Sequence, residues 1–262
     1  MHHHEQSTHP RWPHTNTQES VGSSSGTNGG QRPASGTVDS FGMSSNYKGN
    51  KQNPANHSDN IPMGESCSVW MINLPPECTV NMLLSHIRQC DKVYATVINP
   101  PGGKHKTAAA KVVFWSQKGV YRLKKQVEAG AFTVGLYAPK FEVNRIRSRA
   151  ARPGRECRVL QIKGHQHIIN EQKLRDEVFR DKFQWQDDSV SVLASFADGE
   201  HILEWRFGSY RCQAENAYRA IQRKIGWGKG LVAQAIGSDA LKGSDAWMWA
   251  HATVDYGVDP CA

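Results

Sequence analysis

The chain has 262 residues, 38% of them hydrophobic, and a formal net charge of +8. No apolar run approaches the roughly 18 residues of a membrane-spanning helix, and the polar start lacks the apolar stretch of a secretory signal, so we expect no membrane partner. The six cysteines contain no C-x-x-C pair, which leaves zinc ribbons and thioredoxin-like sites without support. We expect reduced thiols in a protein that works inside the cell, in the nucleus or the cytoplasm.

Residues 1–65 are predicted to form a disordered polar tail. Of the first 64 residues, 45 are Ser, Thr, Asn, Gln, Gly, Pro or His, and only eleven are hydrophobic. Such a composition cannot bury enough apolar surface to offset the loss of chain entropy on folding. Beyond this tail, hydrophobic residues return to the share that globular domains use.

The segment 66–147 reads as one β-α-β-β-α-β unit. An apolar run that ends at a Pro-Pro pair predicts the first strand, and Thr79 is a good N-cap for the helix after it. Gly130 is placed to end the second helix. The predicted strands are 68–74, 93–98, 108–115 and 140–146, with a further strand piece at 132–134, and the predicted helices run from Thr79 to about Gln89 and from Ser116 to Gly130.

A weaker copy of the same order follows after about 90 residues, which predicts two domains and not one large one. An arginine-rich linker over 148–156 leads into a second domain over 157–237, and 238–262 is left as a tail. Its predicted strands are 158–163, 190–195, 201–207 and 232–236, its helices begin at Asn170 and Gln213, and 226–230 is a flexible turn. Trp247 and Trp249 in the tail either pack back on this domain or form a short partner-binding motif.

The first strand carries a motif, Val69-Trp70-Met71-Ile72-Asn73-Leu74, that resembles the first motif of the RNA recognition motif (RRM) family. That family places an aromatic residue second and Asn-Leu at the end. In a strand of period two, Val69 and Met71 face the helices, whereas Trp70 and Ile72 face out of the sheet. The resemblance implies an α+β fold of two ferredoxin-like β-α-β-β-α-β domains, with Trp70 stacking on a base of single-stranded RNA.

The third strand departs from the family pattern on its outer side. Its inward residues, Ala110, Val112 and Phe114, fit the motif. Its outward positions are Ala109 and Lys111, where the family has two stacking aromatics. One of three stacking positions therefore survives, and we expect Lys111 to meet phosphate or to lie along a base.

The second copy departs further from the family. Gln161 takes the place of the aromatic residue in its first strand, and Ile202 and Glu204 occupy the outward positions of its third strand. A carboxylate on this face repels phosphate. We therefore expect a degenerate RRM-like domain that contacts a protein, through residues 157–262, more readily than RNA.

The excess positive charge lies in one segment. Residues 65–149 hold thirteen Lys or Arg and five Asp or Glu, whereas the rest of the chain sums to zero. This concentration of positive charge is typical of a domain that binds a polyanion, although a basic domain without such a partner could also have it. Pro153 and Gly154 predict that the linker is flexible. Its arginines are either a phosphate clamp or simply solvated, and the loop with Lys104 and Lys106 either closes over RNA or only solubilises a hairpin. The predicted RNA-binding residues are Trp70, Ile72, Lys104, Lys106, Ala109, Lys111, Arg145, Arg147, Arg149 and Arg152.

No set of residues with the pattern of a known catalytic motif is present, so we expect no enzyme, no cofactor and no metal. Two functions remain. One is a protein that binds single-stranded RNA through the first sheet and the arginine-rich linker. The alternative is a protein–protein adaptor that uses RRM-like folds without binding RNA.

Overall fold

The computed structural model describes residue 52 and residues 61–103, 105–235 and 240–262. Most of the predicted polar tail, and Lys104, lie outside the described residues. The predicted end of the tail at residue 65 lies too far along the chain, because Ile61 is buried and 63–65 form a helical turn. Both sheets described below belong to one compact unit of the chain.

The first domain is a four-stranded antiparallel sheet with two helices on one side. Its strands lie in the order β2-β3-β1-β4, which puts the two motif-bearing strands in the centre. This arrangement confirms the β-α-β-β-α-β unit predicted from the sequence. The elements are β1 Ser68–Leu74, α1 Val80–Leu84, β2 Val93–Asn99, β3 Ala108–Phe114, α2 Gln117–Glu128 and β4 Lys140–Val143.

Alternation of side chains explains why these strands hold their register. Val69 pairs with Val112 and Met71 pairs with Ala110 across β1 and β3, and all four side chains are buried in the first core. A slip of one residue would turn this apolar set toward solvent. At the start of α1, the hydroxyl of Thr79 accepts a hydrogen bond from the backbone N–H of Met82 at 3.1 Å, as the sequence predicts.

The second domain repeats this architecture, with its strands in the order β6-β7-β5-β8. Its core includes Leu203, Trp205 and Phe207 from one face of β7. The elements are β5 Val159–His165, α3 Glu171–Lys173 with a wider helical turn Leu174–Phe179, β6 Asp187–Ser195, β7 Glu200–Phe207, α4 Glu215–Gln234, α5 Asp245–His251 and β8 Thr253–Tyr256.

The end of the second domain differs from the sequence prediction. The closing strand is not 232–236: α4 runs through 226–230, which is no turn, and ends at Gln234. The fourth strand is β8, which pairs with β5 inside the segment expected to be a tail. The expected end of the domain at 237 is therefore too early.

A close helix crossing accounts for the middle one of the three glycines in this helical segment. A Cβ atom on Gly228 would lie 2.6 Å from the carbonyl oxygen of Ala246 and 2.7 Å from the backbone nitrogen of Ala250 in α5. Only glycine lets the two helices approach so closely. Trp249, one of the two tryptophans in the expected tail, is buried in the core of the second domain. It therefore packs against this domain, which is one of the two roles that the sequence left open.

A buried guanidinium links segments that are far apart in the chain. Arg158 is fully buried, and it donates to Asp188 Oδ2 at 2.7 Å and to Asp259 Oδ1 at 3.0 Å. These two carboxylates raise the pKa of Arg158, although burial opposes them. Asp188 also accepts a hydrogen bond from Asn81 of α1, so the ion pairs reach the first domain.

Residues 257–262 complete this connection. The other oxygen of Asp259, Oδ2, accepts the backbone N–H of Val93 at 2.8 Å, and the carbonyl of Cys261 accepts the N–H of Cys90 at 2.8 Å. The side chain of Cys261 is fully buried in the core of the first domain. We call Arg158, Asp188, Asp259 and Cys261 the interdomain clamp. In the part of the chain that the structure describes, no helix is both long and apolar enough to span a bilayer.

Candidate nucleic-acid interface

The outer face of the first sheet presents the predicted residues of its two central strands side by side. Trp70 on β1 lies directly across from Lys111 on β3, and Ile72 and Ala109 follow toward the same end of the sheet. All four side chains are partly exposed, whereas their neighbours in both strands face the core. The outward orientation of Trp70 is therefore the one that strand alternation predicts.

The outer strands add charge that sequence analysis missed. Lys140 on β4 pairs with Ile72, and Glu142 pairs with Trp70, and both charged side chains are exposed. Two-residue alternation within the predicted strand 140–146 was the signal that could have found them. Val97 on β2, opposite Lys111, is 50% exposed and extends the apolar part of the face.

Lys111 sits in an unusual electrostatic environment. Burial of its amine and, to a smaller extent, the nearby positive charge of Arg211 together lower the pKa of Lys111 to about 8. Arg211 belongs to the turn Tyr210–Ala214 of the second domain, far from Lys111 along the chain. An anion beside Lys111 would stabilise the protonated amine.

The linker is pinned to the first domain, so the prediction that it is flexible is wrong. Cys67 N–H donates to Ser148 O at 2.8 Å, Ala151 N–H donates to Trp115 O at 2.9 Å, and Lys92 Nζ donates to Gly154 O at 2.8 Å. These anchors lie next to β1, β3 and β2 in turn. After leaving β4, the linker therefore crosses one whole end of the sheet in the order of its strands.

This path spreads the linker arginines along that end. Arg145, Arg149 and Arg152 are exposed, whereas Arg147 is partly buried and donates a hydrogen bond to the carbonyl of Ile61. Beneath the linker, Ser68, Val113 and Asn144 are buried on the outer face. We call residues 145–155 the arginine rim. Lys106 is exposed within the β2–β3 loop, at the opposite end of the face from the rim.

An aromatic cluster that sequence analysis missed lies beside β2. The rings of Trp115 and Tyr210 are 4.9 Å apart, and Tyr94 lies 5.4 Å from Trp115 and 5.8 Å from Tyr210. The indole N–H of Trp115 donates to the carbonyl of Arg152 at 2.7 Å. The cluster therefore ties the first sheet, the linker and the second domain together, and no local sequence pattern connects residues so far apart.

The outer face of the second sheet lacks such a platform. Gln161 Nε2 donates to Glu204 Oε2 at 3.1 Å, and Glu204 forms an ion pair with Arg206 at 2.7 Å. The carboxylate is thus occupied by partners from its own sheet. Among the described residues, no group of three or more His, Cys, Asp or Glu is arranged to hold a metal ion.

Comparison with known proteins gives structural similarity only. No family model matches the chain, and no curated protein matches it. The first two RRM domains of yeast poly(U)-binding protein share 13% identity, with 61% of this chain and 90% of that chain covered and a TM-score of 0.26. RNA recognition domains 1 and 2 of Sex-lethal from Drosophila melanogaster share 19% identity, with 59% and 92% covered and a TM-score of 0.24.

A third solved structure holds the three N-terminal RNA-binding domains of a yeast splicing factor. It shares 12% identity, covers 73% of this chain and 63% of its own, and has a TM-score of 0.26. These similarities concern the fold alone. The strand order and register of the two sheets establish that this chain carries two RRM-like, ferredoxin-like domains in tandem.

Proposed function

We propose that this protein binds single-stranded RNA through the outer face of its first sheet, in the nucleus or the cytoplasm. The observation that carries the proposal is the direct pairing of Trp70 with Lys111 on a partly exposed face. An indole offers a stacking surface for a base, and an ammonium group beside it can meet the adjoining phosphate.

The surroundings of this pair support a path for the strand. Val97 beside Lys111, and Ile72 and Ala109 farther along the central strands, form an apolar floor, whereas Glu142 borders Trp70 on the other side. The arginine rim lies at one end of the floor, and Lys106 lies at the other. We expect bases to lie on the floor and phosphates to contact the arginine rim. The residues expected to bind the phosphates are Arg145, Arg147, Arg149 and Arg152.

The direct test is binding of the full chain to a labelled single-stranded RNA of about a dozen nucleotides, with the matching duplex as control, by fluorescence anisotropy. We expect the single strand to bind more tightly. The logarithm of the association constant should fall with the logarithm of salt concentration, by about 0.7 for each phosphate contacted. Equal affinity for the duplex, or no binding at low salt, would refute the proposal.

A second candidate function, the protein adaptor, has its own observation. Strand β6 is at the edge of the second sheet, and residues 189–197 contain no charge and no proline. Val192, Leu193 and Phe196 are each about half exposed there. Such an edge is a template for an extended segment of another protein.

Substitution of this edge separates the two functions. Leu193→Lys places a charge on β6 without touching the first sheet, and we expect it to abolish pairing with a protein segment and to leave RNA affinity unchanged. Two results together would favour the adaptor. Leu193→Lys would fail to capture proteins that the unmodified chain captures from cell extracts, and changes on the first sheet would leave RNA affinity unaffected.

A further inference from the structure

The second domain places one of its turns against the first domain's candidate RNA surface. Ser209 precedes this turn and is buried at the free edge of β2, where its hydroxyl accepts the N–H of Thr96 at 2.8 Å and donates to the carbonyl of Thr96 at 3.3 Å. Edge strands leave such backbone groups without a partner. Ser209 thus fastens the second domain to β2 beside the outer face.

Two further contacts hold the turn in place. The ring of Tyr210 packs on Trp115, as described for the aromatic cluster. The side-chain oxygen of Gln213 accepts the backbone N–H of Ser209 at 3.2 Å. Between them, Cys212 adopts a positive φ of 63°, a conformation that non-glycine residues rarely adopt. The path of the chain at Arg211 is therefore set by its neighbours on both sides.

This path carries Arg211 toward Lys111. Thr96, whose backbone is hydrogen-bonded to Ser209, is adjacent to Val97, and Val97 pairs directly with Lys111. Arg211 follows Ser209 by two residues, so the contacts of Ser209 with Thr96 hold it at this edge of the sheet. In agreement with this position, its positive charge adds to burial in lowering the pKa of Lys111. Two cations from different domains thus converge on one side of the stacking residue Trp70.

We propose that Lys111 and Arg211 form a composite phosphate site, in which the second domain supplies a side chain to RNA bound on the first sheet. Two like charges held close together repel each other in the free protein. A phosphate between them would relieve this repulsion and gain hydrogen bonds to the guanidinium. The second domain, whose own sheet lacks a stacking platform, would then take part in RNA binding through its turn and not through its sheet.

This inference rests on the proposed function, and its test compares Arg211→Gln with Arg223→Gln in the full chain. Arg223 is exposed on α4, so the two variants lose the same charge from the same domain. We expect Arg211→Gln to weaken single-stranded RNA binding by about 3- to 10-fold and to flatten the salt slope by about 0.7, with Arg223→Gln close to wild type. The effects of Lys111→Gln and Arg211→Gln should not add, because both contact one phosphate.

Two readouts keep the inference separate from the proposed function. If Trp70→Ala weakens binding while Arg211→Gln and Arg223→Gln behave alike, the composite site is wrong and the RNA surface stands. If Trp70→Ala, Lys111→Gln and Arg211→Gln all leave binding unchanged, the proposed function fails as well.

A measurement on the unmodified protein covers the case in which Arg211→Gln does not fold. Phenylglyoxal modifies exposed guanidinium groups, and mass spectrometry locates the adducts. Bound RNA should protect Arg211 but not Arg223. Equal modification of Arg211 with and without saturating RNA would overturn the composite site.

Discussion

Trp70 is the side chain on which the candidate RNA surface most depends. Its outward orientation was predictable, because strand alternation alone assigns Val69 and Met71 to the core. Its position opposite Lys111 was not, because sequence does not give the register between β1 and β3. The pairing of these two side chains required the structure.

Trp70→Ala should weaken binding of single-stranded RNA by about 5- to 150-fold, since one stacked base contributes about 1–3 kcal/mol. Trp70→Phe should restore part of the affinity. Trp227→Ala is the matched control, because Trp227 is 48% exposed on α4 in the other domain. A lower melting temperature for Trp70→Ala with unchanged RNA affinity would assign the indole a structural role instead.

Lys111 shows how a residue's chemistry can depend on a distant part of the chain. A lysine on a sheet face reads from sequence as an ordinary cation. The lowered pKa comes from burial and from Arg211, and neither follows from the residues around Lys111.

RNA affinity should fall as the pH rises from 7 to 9 at constant ionic strength. At one pH unit above a pKa of about 8, only about a tenth of the free Lys111 amines carry a proton, so the loss approaches tenfold. An RNA of A and C avoids the titration of uracil and guanine bases in this range. Lys111→Arg keeps its charge and should show a smaller decline, and identical profiles for both proteins would contradict a role for the ammonium group.

The same shift has a consequence for stability with a definite sign. The pKa is 10.5 in the reference chain and about 8 in the folded protein, so the unfolded state holds more protons between these values. The contribution of Lys111 to the free energy of unfolding therefore rises as the pH increases from about 8 to 10.5.

At the scale of elements, the first domain was largely predictable and the end of the second was not. Apolar runs, a cap and turn residues locate β1, β2 and β3 within one residue of their observed ends. The segment 226–230 misled the prediction, because its three glycines are usual in turns. The role of Gly228 here is tertiary, since its close approach to α5 is invisible in the local sequence.

Gly228→Ala should lower the free energy of unfolding by about 1–3 kcal/mol, because the added methyl group meets backbone atoms of α5 that cannot move aside. Gly230→Ala is the control in the same helix, where an added Cβ meets nothing within 4 Å. Helix propensity predicts that this second change is neutral or stabilises the protein by up to about 1 kcal/mol. Chemical denaturation measures both, and equal effects would contradict the crossing.

The linker also needed the tertiary structure. Its proline and glycine suggested flexibility, but the bonds that hold it come from Cys67, Trp115 and Lys92, all outside the linker. An ordered linker changes the meaning of its arginines. They line one end of the sheet at set positions, which reduces the entropy lost when they contact phosphate.

At the scale of the whole molecule, the tandem organisation was visible in sequence as a repeated order of elements. The interdomain clamp was not, because Arg158 and Asp259 are 101 positions apart and each resembles a surface residue in its local context. Burial of such a pair fixes the orientation of the two domains relative to each other, and this orientation brings Arg211 to the first sheet.

Asp259→Ala should lower the free energy of unfolding by about 3–5 kcal/mol, because it leaves the buried guanidinium of Arg158 without one of its two carboxylates. Asp255→Ala, an exposed carboxylate on β8, should change stability by less than about 0.5 kcal/mol. Thermal unfolding of both variants measures the difference. Similar melting temperatures for the two variants would show that the interdomain clamp contributes little to stability.

Photochemical crosslinking of the full chain to a 4-thiouridine-labelled single-stranded RNA tests RNA binding on the first sheet most directly. Mass spectrometry of the digested complex assigns each adduct to a peptide. Binding on the outer face predicts adducts on β1 and β3, within 68–74 and 108–114, with competition by unlabelled single-stranded RNA. Adducts confined to 159–256, or no adducts under conditions in which RNA binds, would contradict it.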